Sequence, residues 1–132
     1  MLSKEFMSIP RFGCINVHPS LLPRWRGAAP IKRSIESGDK LSGITIMKMV
    51  EKLDAGDIIY QEPVKIDDND SSISLHNKFI KIGTEVLLLT LESINENNFI
   101  MYPQDENLVT YAKKIKKEEA KIKRRCRRRR YL

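Results

Sequence analysis

Residues 13–30, Gly13-Cys14-Ile15-Asn16-Val17-His18-Pro19-Ser20-Leu21-Leu22-Pro23-Arg24-Trp25-Arg26-Gly27-Ala28-Ala29-Pro30, leave the backbone few choices. Pro19 has no amide hydrogen for a sheet ladder and biases His18 toward extended geometry, so residues 13–18 read as a short strand that ends where a loop begins. Strand side chains alternate faces, which sends Asn16 and His18 to one side with Cα atoms roughly 6.5 Å apart. A hydrogen-bond donor and a base therefore stand side by side. In open α/β sheets, chemistry gathers at such strand ends.

Elsewhere the pattern is that of a small α/β unit. Leu2, Phe6 and Met7 fit a helical turn that Pro10 would end. Pro30 suits the first position of a helix, Ile31 and Ile35 give it one apolar side, and Gly38 closes it, which predicts a short helix over 30–37. Residues 43–49 and 57–66 read as two strands joined closely enough to pair antiparallel, with Pro63 marking the second as an edge strand or as bulged there. The connection between them carries Asp54. Asp67-Asp68-Asn69-Asp70-Ser71-Ser72 is a turn rich in helix caps, after which Leu75, Phe79, Ile82, Val86 and Leu89 recur at spacings of four and three. That period predicts a helix over 72–95. Residues 96–122 read as a linker-like segment, extended over 99–112 and able to form a short charged helix over 113–122.

Charge is unevenly placed. The chain carries a formal +7, but residues 113–132 hold 12 basic and 2 acidic residues, leaving 12 basic and 15 acidic for residues 1–112. Residues 123–132, with six arginines and no apolar period, read as a disordered basic tail and as the product of a changed reading frame. Cys14 and Cys126 have neither disulfide-framework nor metal spacing. No apolar run is long enough to span a membrane and no leader pattern is seen, so a cytoplasmic protein is expected. His76, on the long helix, is expected to be partly buried and structural, Trp25 to pack, and Met47 and Met49 to be strand residues.

The run Asn16-Val17-His18-Pro19-Ser20-Leu21-Leu22-Pro23, with the later Leu53-Asp54-Ala55-Gly56-Asp57, resembles the folate-dependent formyltransferases. Arg24-Trp25-Arg26-Gly27-Ala28-Ala29-Pro30-Ile31 and Val109-Thr110-Tyr111-Ala112-Lys113-Lys114-Ile115 are similar to the methionyl-tRNA branch of that family. The resemblance implies a partial Rossmann-like formyltransferase fold of about three strands, one short helix and one long one. Residues 1–95 would be the C-terminal half of the catalytic domain, and the family's first half and its β-barrel domain would be absent. It implies that Asn16, His18 and Asp54 are catalytic and that Ser20, Leu21, Leu22 and Pro23 shape the substrate and folate site. Arg24 and Arg26 are candidate nucleic-acid contacts, with solvated loop charges as the other reading. In the family a formyl group passes from 10-formyltetrahydrofolate to the amine of initiator Met-tRNA, without a metal.

The residue types suit that chemistry. An α-amino group has a pKa near about 7.7, so a mild base such as His18 suffices. The Asn16 carboxamide can donate to the oxygen that turns negative in the tetrahedral intermediate, and Asp54 can hold His18 in orientation. Two other readings stand beside it: a phosphoribosylglycinamide or sugar-amine formyltransferase branch, and a small basic RNA-binding protein acting through residues 123–132. If a neighbouring half is missing, Ile15, Val17, Ile44, Ile46, Met47 and Ile58 are expected to lose their cover, and the chain to be inactive unless a separate polypeptide supplies it.

Overall fold

The computed structural model describes residues 2–120; the basic run 123–132 lies outside them. A short helix α1 (Lys4–Ser8), capped by the Ser3 hydroxyl accepting from the Phe6 amide, leads through Pro10 into strand β1 (Ile15–His18). Helix α2 (Pro30–Glu36) begins on its proline, and Gly38 follows it at a φ of 72°. Strands β2 (Leu41–Lys48) and β3 (Ile58–Lys65) come next, then the long helix α3 (Ser72–Asn95). The sheet order is β1-β2-β3, antiparallel throughout, with Asn16 opposite Met47 and His18 opposite Thr45.

β2 is the centre of the sheet, and Ser42–Met47 are all buried. Ile44, Val64, Ile66, Leu75 and Phe79 form the core, with Val17, Ile31, Ile35 and Ile82 packed on its margin. Three of the six side chains expected to be uncovered, Ile44, Ile46 and Met47, are thus 0–2% exposed within the chain itself. Helix α3 packs against β2 and the strands β1 and β3 flank it, while Ile15, Val17 and Ile58 stay half-exposed. β3 is an edge strand, as Pro63 suggested; the register irregularity falls between Ile46 and Met47 instead.

Helix α3 runs over the expected residues, but its buried line is Leu75, Phe79, Gly83, Val86, Thr90 and Ile94. Leu89 is 65% exposed and Thr90 takes the inward place, its hydroxyl donating to the Val86 carbonyl. His76, expected to be partly buried, is exposed, because it lies one residue round from Leu75. Ser71 and Ser74 form a reciprocal cap at the N-terminus.

Just before that cap, hydrogen bonds from Lys78 foremost, then from the Asp67 amide and Ser74, lower the Asp70 carboxyl from 3.8 to about 2. Asp70 binds its proton less readily folded than unfolded, so its stabilising share is present above about pH 4 and lost as pH falls toward about 2. Asp70→Asn should therefore remove part of the acid sensitivity of far-UV helicity in that window. Unchanged acid curves for the two chains would disprove the assignment.

Residues 99–112, expected to be extended throughout, are interrupted by a 3-10 turn, and they are bonded to the body. Tyr102 pairs with Ile58 and Tyr111 with Arg26, and Ala112 is fully buried. Single 3-10 turns occupy Glu106–Leu108 and Lys117–Ala120, the second standing where a short charged helix was expected. No helix among the described residues is long and apolar enough to cross a membrane.

Candidate active site

Asn16 and His18 leave β1 on one face, and the loop after β2 brings Asp54 to meet them. Asn16 and Asp54 line one small cavity of about 40 Å³, walled by Met47, Met49, Leu53, Ala55 and Gly56. His18 is buried, with its Nδ1 3.7 Å from Asp54 Oδ2. All three sequence-predicted catalytic residues are therefore gathered at one end of the sheet.

The orientation of His18 has a different source from the one expected. Its Nε2 stands 2.8 Å from the Trp25 carbonyl oxygen. A carbonyl only accepts, so Nε2 carries the hydrogen, and Nδ1 is left as the lone-pair nitrogen in the neutral ring. Asp54, beyond hydrogen-bond distance, accepts instead from the Gly27 amide at 2.8 Å. The Trp25 carbonyl fixes the ring, and Asp54 faces the nitrogen that would become positive on protonation.

Both residues that address His18 hold unusual backbone: Trp25 has a φ of 63° and Asp54 a φ of 50°. Left-handed geometry at residues other than glycine persists only where neighbours enforce it. At Trp25 the enforcing bonds are its amide donating to the Thr110 hydroxyl at 2.9 Å and the Arg26 amide donating to the Thr110 carbonyl at 2.9 Å. At Asp54 it is the Gln104 carboxamide, which donates to the carbonyls of Asp54 and Gly56, each at 2.8 Å.

Ser20 and Leu22, expected to shape the substrate and folate site, turn inward. Ser20 is wholly buried, its hydroxyl donating to the Arg24 carbonyl and its carbonyl accepting from Thr45. The Leu22 amide donates to the Thr45 hydroxyl and its carbonyl accepts from Gln61. These two residues shape the loop from within; Leu21 and Pro23 keep half-exposed surfaces.

Arg26 is likewise corrected. Its guanidinium is 0% exposed and bonds Gln104 Oε1 at 3.0 and 2.8 Å and Glu106 at 3.0 Å, so it has no face for nucleic acid. That hydrogen bond, chiefly, holds the Glu106 carboxyl below the ordinary range. Arg24 remains exposed, but it lies over the Trp25 ring at 4.3 Å and bonds Asp39 through two nitrogens. Burial opposes the charge on Asp39, yet the bonds from Arg24 and Trp25 keep its carboxyl below the ordinary range.

Sequence reasoning missed the Trp25 carbonyl, Gly27, Gln104 and Thr110. Two of these act through backbone atoms, which leave no mark on residue type. Among the described residues, no group of three or more His, Cys, Asp or Glu side chains is arranged to hold a metal ion.

Asn16, His18 and Asp54 thus meet at one end of the sheet, the histidine buried and the other two partly exposed, and the fold around them is that of the formyltransferases. The chain belongs to the formyl transferase family, whose model matches residues 1–91. It is 49% identical over 122 residues to the methionyl-tRNA formyltransferase of Wigglesworthia glossinidia brevipalpis and 52% identical over 122 residues to that of Bdellovibrio bacteriovorus. In both cases the match covers 92% of this chain and 38% of the relative, so the chain spans under two fifths of those proteins' length. Among solved structures, phosphoribosylglycinamide formyltransferase from Bacillus halodurans is 30% identical with a TM-score of 0.66, covering 70% of this chain and 48% of that one. The formyltransferase PseJ from Anoxybacillus kamchatkensis, in complex with a UDP-linked formamido sugar and tetrahydrofolate, is 25% identical with a TM-score of 0.74, covering 85% of this chain and 58% of that one.

Proposed function

We propose that this chain carries the catalytic residues of a methionyl-tRNA formyltransferase, passing a formyl group from 10-formyltetrahydrofolate to the amine of initiator Met-tRNA. The observation that carries the reading is the near-50% identity to that branch over 122 residues, joined to the meeting of Asn16, His18 and Asp54. The amine lone pair attacks the formyl carbon, and the carbonyl oxygen becomes negative. Asn16 donates to that oxygen. His18 Nδ1 takes the proton the amine sheds, and Asp54 faces the resulting imidazolium. Reforming the carbonyl breaks the bond to the folate nitrogen, and His18 returns the proton to that leaving group.

The cavity supports this reading by its size. About 40 Å³ holds a group of two heavy atoms such as formyl, while the rest of a folate needs more room. Met49 and Val50 also line an adjoining, largely apolar groove of about 780 Å³ with Phe12, Gly13 and Ile15. The flat ring of the donor would lie there. This reading places the chain in the cytoplasm, beside its tRNA, and takes residues 96–122 as the path out of the catalytic half.

Alone, the chain is expected to be inactive. It spans 38% of the relatives' length, and it exposes Phe6, Ile9 and Phe12 by 46–75%, Phe12 on the wall of the groove. The test is formylation of Met-tRNA by the purified chain, alone and co-expressed with the remaining stretches of the Wigglesworthia relative. No turnover alone and turnover on complementation is the expected result. Turnover by the chain alone would refute the inactivity, and turnover of sugar amines or glycinamide ribonucleotide in place of Met-tRNA would refute the substrate.

A further inference from the structure

The segment 104–112 ties together the two groups that address His18, although they come from loops far apart in sequence. Its first anchor is Gln104, 9% exposed, with every polar atom of its carboxamide engaged. Oε1 accepts from Arg26 Nε and Nη2, and Nε2 donates to the carbonyls of Asp54 and Gly56. Its second anchor is Thr110, whose hydroxyl accepts from the Trp25 amide and whose carbonyl accepts from the Arg26 amide. Ala112 closes the far end, its amide donating to the Arg26 carbonyl at 2.7 Å and its carbonyl accepting from Ala29 at 3.1 Å.

The left-handed backbone at Trp25 and at Asp54 is therefore gripped by one strap. We propose that residues 104–112 are a positioning strap for the catalytic histidine, with Gln104 setting Asp54 and Thr110 setting the Trp25 carbonyl. The proposal rests on the reading of His18 as the base, and its parts are geometrically linked. Gln104 also joins the two loops directly, because Arg26 is the residue after Trp25. Loss of either anchor would let the ring or the carboxylate drift by the fraction of an ångström that matters to a proton transfer.

Amide hydrogen exchange and histidine nitrogen NMR on the 132-residue chain test this without any turnover, so failure of the formylation reading leaves the result interpretable. Gln104→Glu keeps an oxygen for Arg26 and loses the donor to Asp54 and Gly56. In this variant, exchange of the Gly27 amide, which donates to Asp54, should quicken about tenfold relative to Phe79, Gly83 and Val86 on α3, the loss of about one hydrogen bond. Thr110→Val should quicken exchange at Trp25 by a similar factor and broaden the His18 Nε2–H signal. If Gln104→Glu does not fold, Thr110→Val and the side-chain amide of Gln104 in the unaltered chain decide; that amide should exchange far more slowly than in a free peptide. Unchanged Gly27, Trp25 and His18 signals, or a common factor at every amide including α3, would overturn the proposal.

Discussion

His18→Ala, in the chain assayed with the remaining stretches of a relative, should lower formyl transfer by about 10²–10⁴-fold, the range for loss of a positioned general base. The change also has a structural cost, because the ring is buried and its Nε2 donates to the Trp25 carbonyl, so truncation leaves a cavity and an unpaired acceptor at roughly 2–4 kcal/mol. The melting temperature should fall accordingly, so the rate is referred to the folded fraction at assay temperature. His76→Ala provides the internal comparison, because His76 is exposed on α3 and should change neither rate nor stability. A His18→Ala enzyme that retains more than a tenth of the rate would remove the base from the mechanism. Equal losses of activity and of folded fraction would do the same, by making the defect one of folding.

Several parts of this arrangement were legible in the sequence and others were not. Face alternation along a strand is geometric, so Asn16 and His18 could be placed together from their spacing, and Pro19 marked the strand end. The span of α3 was legible because Ser71 can cap and the apolar period is strong, but its buried line was displaced over its second half. Gly83 sits in that line, facing Ile44 and Val17 at distances where even a Cβ would make ordinary contact. A count of apolar residues passes over a glycine and lands on Ile82 and Leu89. Arg26 was misread for the opposite reason. An arginine in a loop reads as a solvated charge, yet its planar fork matches the carboxamide of Gln104, a residue 78 positions away. The partner that orients His18 is a carbonyl, which any residue would have provided, and the left-handed turn that aims it depends on contacts from beyond residue 100. Local sequence carries no trace of either.

Gly56→Ala should be the most disruptive single-methyl change in the catalytic loop. The glycine backbone passes so close to Lys48 that an added Cβ would overlap its carbonyl oxygen and carbon. Lys48 lies at the end of β2 and its amide donates to the Asp57 carbonyl, so the strand end and the loop are already pinned against each other. Neither can retreat as a flexible side chain would. Relief requires the loop to lift, which breaks the bond from Gln104 to the Gly56 carbonyl and carries Asp54 away from His18. Overpacking of this kind costs about 1–3 kcal/mol, and the severed bond adds about 1 kcal/mol. Ala55→Gly, one residue earlier, adds no atoms and should cost well under half as much, chiefly through the freedom gained by the unfolded chain. Denaturant melts of the two variants measure the difference. A Gly56→Ala chain as stable as the parent, with an unshifted Gly27 amide resonance, would mean that the loop does not hold Asp54 by this close approach.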